Sequence, residues 1–105
     1  MRLGRIRDVD ADNWWVARFE GSGYVLLVNG EPRQMDFLTT RAAIGETEEE
    51  AVRTTIDGIN RELQPARVED ALLVPTLRVP EIWRASAREA RRVPKAGFTF
   101  ILLED

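Results

Sequence analysis

A chain of 105 residues has room for one hydrophobic core, so residues 1–105 are expected to form a single domain. It is 44% hydrophobic and 31% charged, which excludes a disordered chain, and no apolar run is long enough for a membrane helix. The absence of Cys and His removes disulfide scaffolds, thiolate nucleophiles and imidazole ligands or bases. The expectation is a cytoplasmic, non-enzymatic protein with no cofactor and no metal.

The formal net charge of −3 is unevenly spread. Residues 1–50 carry six Arg against ten acids, whereas residues 51–105 carry nine bases against eight acids. An acidic N-terminal half disfavours nucleic-acid phosphates as the main partner and suits a basic protein.

Leu3–Val9 alternates in polarity and reads as a first strand, followed by the polar turn Asp10–Asn13. Trp14–Glu20 reads as a second strand, with Trp15, Ala17 and Phe19 on one face and Trp14, Val16 and Arg18 on the other. Gly21-Ser22-Gly23 is expected to turn the chain into a third strand, Tyr24–Val28. Asn29-Gly30 is a strong hairpin signal, because both positions accept the positive φ of a type I′ turn. Glu31–Leu38 then pairs back, with Pro32 marking an edge or a strand start, and Thr39–Ile44 connects to a helix or continues the strand.

The helix is the most legible element. Thr47 is an N-cap, Glu50 completes a capping box, and Glu48 and Glu49 lie at the positive end of the helix dipole. Val52, Ile56, Ile59 and Leu63 draw one apolar stripe, and Pro65 stops the helix, giving bounds of 48–63. A single stripe must be buried against a sheet.

Ala71–Val74 reads as another strand, with Thr76–Val79 continuing it on an edge. Pro80–Val93 admits three readings: a helix begun at Pro80, a strand, or a strand followed by a short helix opened by the capping box Ser86–Glu89. A helix over part of it is the reading adopted here. Pro94 breaks the segment, and Phe98–Leu103, apolar on both faces, is expected to be a central strand. The fold class is therefore α+β: an antiparallel sheet of five to six strands, the helix 48–63, and a second short helix within 80–93.

Four features bear on function. Asp8, Asp10 and Asp12 space oxygen ligands like the start of a calcium loop, but the sixth position is Asn13 and the twelfth is Phe19, so the segment reads as a hairpin turn. Trp14-Trp15 points one indole to each face, and an outward one would be a binding anchor rimmed by Asp8, Asp10, Asp12 and Glu20. Arg84, Arg88, Arg91 and Arg92, with Lys95, form a basic cluster that is either a solvated face or a phosphate-binding stripe. Glu46, Glu48, Glu49 and Glu50 cap the helix and could also face a basic partner. No Walker loop, nucleophile elbow or dinucleotide fingerprint is present.

The segment Gly45-Glu46-Thr47-Glu48-Glu49-Glu50-Ala51, after a strand pair built on Arg5–Asp8 and Trp15–Phe19, resembles the HicB-type antitoxins. Their pattern is a short hairpin followed by a Gly-acidic-Thr-x-Glu-Glu-Ala helix start. This chain departs from it by some twenty extra residues, Tyr24–Ala43, and by lacking a DNA-binding C-terminal element. The resemblance implies a small sheet with helices on one side and a protein that neutralises a toxin by covering its active site. The expected function is thus an immunity or antitoxin-type inhibitor whose partner is another protein, such as a basic toxin. A nucleic-acid binder using Arg84, Arg88, Arg91 and Arg92 is the alternative, and a carboxylate-based enzyme or small-ligand binder is a third.

Overall fold

The computed structural model of the chain describes residues 13–69 and 73–102. Its organising element is a long hairpin. Asn29 and Gly30 take φ of 53° and 82°, left-handed conformations that Asn tolerates and that Gly, lacking a Cβ, adopts freely, and join β1 (Trp14–Val28) to β2 (Glu31–Ile44). Thr47 then opens α1 (Glu48–Leu63), its hydroxyl accepting the Glu50 amide at 3.2 Å. The helix continues through Gln64, which keeps helical angles, into a 3-10 turn over Gln64–Ala66 in which Pro65 sits. The remaining elements are β3 (Thr76–Ala85), α2 (Ala87–Arg91) and β4 (Thr99–Leu102). The four strands form one antiparallel sheet in the order β3-β1-β2-β4.

The described residues therefore form an α+β fold, with a four-stranded sheet, one long helix and one short one. The expected count of five to six strands is corrected, and bulges are the reason. Gly21-Ser22-Gly23 is a bulge within β1 and makes no turn. It shifts the side-chain alternation, so that Ala17 and Phe19 before it and Tyr24 and Leu26 after it all face the core. Asp36 of β2 holds the bulge, accepting from the Gly23 amide at 3.1 Å and the Ser22 hydroxyl at 3.2 Å. Gly21 is required because a Cβ there would overlap the Phe37 ring, and Gly23 because its φ is 75°. Thr39–Ile44 simply extends β2.

Of the three readings of Pro80–Val93, the strand followed by a short helix is the one found, so the short helix expected within 80–93 is present but does not begin at Pro80. Residues 76–85 form one strand, with Val79 and Pro80 together opposite Phe19, a bulge that accommodates a residue without an amide hydrogen. The short helix is the piece opened by Ser86, whose hydroxyl accepts the Glu89 amide at 3.1 Å. Among the described residues the last strand lies at the sheet edge instead of its centre, pairing with β2 alone over residues 35–38. The expected strand Leu3–Val9 and residues 71–72 of Ala71–Val74 lie outside the described residues; Leu73 and Val74 are not in a strand.

The core lies between α1 and the sheet. Ile59 and Leu63 pack with Ala17, Phe19, Tyr24, Leu26, Met35 and Phe37. Within it Tyr24 and Phe98 each pack a ring against Phe37, with centroids 5.0 and 4.9 Å away. On the opposite face α2 covers one end of the sheet, where Val16 and Ala90 are buried and the Trp83 indole donates to Glu89 at 2.9 Å. Among the described residues no helix is long and apolar enough to cross a membrane.

Candidate functional site

The apolar stripe of α1 is not buried evenly. Ile59 and Leu63 are enclosed, whereas Val52 and Ile56 are only half-buried. The helix lies over β2 and β1, so its N-terminal half does not reach across to β3. An open groove of about 540 Å³ remains between them. Val52 and Ile56 form one wall and Val79 and Ile82 the other. Glu48, Glu49 and Asp57 stand on the rim with Arg53 as the one base, and none of the four is in an ion pair among the described residues. Apolar walls below an acidic, solvated rim suit an amphipathic segment carrying Lys or Arg beside its apolar side chains.

The sequence signal for this groove was present in two parts, the stripe Val52/Ile56 and the acids of the first turn. What it lacked was the sideways position of the helix on the sheet, which sets whether Val52 and Ile56 meet β3 or solvent.

Of the residues singled out from sequence, Glu48 and Glu49 stand on this rim, whereas Trp14, Trp15 and Glu20 do not line the groove. Trp14 and Trp15 do take opposite faces, pairing with Ala85 and Arg84 across the β1–β3 ladder, and both are half-buried. Trp15 donates its indole N–H to the Gly45 carbonyl at 2.8 Å, and the Arg84 guanidinium lies 5.1 Å from its ring centre. Trp14 lines a separate cavity of about 400 Å³ between α1, α2 and residues 93–95. Glu20 is on the Trp14 face but six residues along the strand, about 20 Å away, and it pairs with Arg78 at 2.6 Å. Asp8, Asp10 and Asp12 lie outside the described residues.

The basic cluster is divided. Arg84 belongs to β3 and stacks on Trp15, on the face that carries α1, whereas Arg88 and Arg91 belong to α2 on the other face and Arg92 caps its end. No continuous helical stripe joins them. Among the described residues no group of three or more acids is placed to hold a metal ion.

Tyr24 is the one described side chain whose acidity shifts clearly: burial pushes its hydroxyl up, partly offset by the Arg67 guanidinium 5.6 Å from its ring. It belongs to the core beneath the hairpin and not to the groove. No protein-family model, curated protein or solved structure matches this chain.

Proposed function

We propose that this chain is a non-enzymatic protein-binding domain of the antitoxin or immunity type, and that it holds a basic partner in the groove between α1 and β3. The observation that supports this reading is the combination of half-exposed Val52, Ile56, Val79 and Ile82 with the acids Glu48, Glu49 and Asp57 above them, which form no ion pair among the described residues. Helix capping accounts for Glu48 and Glu49 but not for Asp57, in the third turn, nor for apolar walls left open. In such an interface the apolar centre supplies residence time and the acidic rim supplies steering. A toxin whose active site is lined with Lys and Arg, as in enzymes that act on nucleic acid, has the complementary surface.

The neighbouring reading frame provides the test. Its product should arrest growth when expressed alone and be neutralised when this chain is co-expressed. Glu49→Lys with Asp57→Lys, both at exposed positions, should abolish that rescue while leaving the circular dichroism spectrum unchanged. A harmless neighbour, or rescue indifferent to the two reversals, overturns the reading.

A further inference from the structure

The sheet has two outer edges, and they are built differently. The β3 edge carries Pro80 in a bulge and the charged Arg78 and Glu81, devices that discourage another strand from pairing there. The β4 edge has none of them. Thr99-Phe100-Ile101-Leu102 contains no charge and no proline, and among the described residues its outer side pairs with no strand. Phe100 and Ile101 are also partly uncovered. Phe100 is 42% exposed on the helix face, Ile101 is 45% exposed on the other, and Leu38 of β2, diagonal to Ile101, is 39% exposed.

We propose that the β4 edge pairs with the same edge of a second copy of this chain, antiparallel about a two-fold axis, to give a dimer with one continuous sheet. One defended edge and one open edge favour closure at two copies, because the outermost strands of the dimer are then the two β3 strands. The alternation of side chains restricts the register. A two-fold axis perpendicular to the sheet brings like faces together, so each residue must meet one of the same face. The axis then passes between two identical residues: Phe100 facing Phe100 of the second copy, or Ile101 facing Ile101. Only the first keeps the pairing within residues 98–102, setting Thr99 opposite Ile101 on the far face. It also extends the ring cluster of Phe37, Phe98 and Phe100, whose centroids lie 4.9–6.1 Å apart, into the partner. So short an edge falls below the roughly 1,000 Å² of a stable interface, so the dimer is reversible and concentration-dependent.

Sedimentation equilibrium over a wide concentration range tests this. The mass should rise from the 12.0 kDa of one chain toward twice that value. Ile101→Lys, at an exposed position, should hold the mass at one chain throughout with an unchanged circular dichroism spectrum. The chain has no Cys, so Phe100→Cys introduces a single thiol, which should give a disulfide-linked dimer on mild oxidation where Glu31→Cys does not. A chain that stays monomeric at the highest concentration, or one that dimerises equally well with Ile101→Lys, overturns the proposal. The groove lies at the opposite, β3 edge of the sheet, so Glu49→Lys leaves the dimer intact and the two readings fail independently.

Discussion

Arg41 of β2 and Glu62 of α1 meet at 3.0 Å, and the arginine side chain is only 8% exposed. Each does more than pair. Arg41 also donates to the Gly97 carbonyl and the Thr39 hydroxyl and lies 4.9 Å from the Phe98 ring centre. Glu62 accepts the Gly97 amide at 2.8 Å with its second oxygen. Together they tie the segment before β4 to both helix and sheet. Arg41→Ala is expected to cost about 3 kcal/mol, the lower end for breaking a buried pair, since Glu62 keeps contact with water. Glu62→Gln should cost less, because Arg41 keeps its carbonyl partners. Denaturant titration gives the magnitudes, and amide exchange in residues 99–102 should quicken before that of β1.

The contact of Phe37 over Gly21 sets a second prediction. Gly21→Ala must displace a fully buried ring and is expected to destabilise by about 2–3 kcal/mol through overpacking. Combining it with Phe37→Leu should recover part of that loss, so the double variant lies above the sum of the singles. Strict additivity in a thermal melt series would mean the two residues do not press on each other.

Position along α1 separates two isoleucines of the same stripe. Ile59 is 0% exposed and Ile56 is half-buried at the groove. Ile59→Ala should cost about 2–5 kcal/mol, and Ile56→Ala distinctly less. The order reverses for partner binding, where Ile56 is the contact and Ile59 is not. Urea unfolding of both variants, alongside the growth rescue assay, checks the crossover.

Tyr24 is the chain's single tyrosine, so phenolate absorbance reports on it alone. Burial pushes its folded-state pKa above the ordinary value of 10.0. The folded form therefore holds its proton where the unfolded form has begun to lose it. The associated stability is complete below about pH 10 and is lost as pH rises through the folded-state value. The phenolate transition should occur above its usual range and coincide with loss of structure. Tyr24→Phe should lose less stability over the same alkaline interval.

Local chemistry explains what could be read from the sequence. The bounds of α1 rest on Thr47 and the stripe through Leu63, and the hairpin on Asn29-Gly30; each signal lies within a few residues of its effect. The strands were harder because Gly21-Ser22-Gly23 and Pro80 look like breaks. In the folded chain both are bulges, and a bulge is recognisable only when the partner strand is known. Phe98–Leu103 read as central because apolar residues on both faces ordinarily mean cover on both faces. At β4 they lie open at an edge, which is the basis for self-pairing. The groove needed the helix's lateral position on the sheet, set by the packing of Ile59 and Leu63 around Phe19, Leu26 and Phe37 as a group.

The strand order β3-β1-β2-β4 also bears on how the chain is made. The first hairpin and α1 are complete in a nascent chain released as far as Pro75, but both flanking strands are still to come. Such a chain exposes the long edges of β1 and β2 together with the side of Phe37 that Phe98 and Phe100 cover, and it cannot shield them until β3 and β4 have left the ribosome. Ribosome-bound chains halted after Pro75 should accordingly be bound by chaperones and sensitive to protease, and chains extended past Leu102 by a linker should be neither.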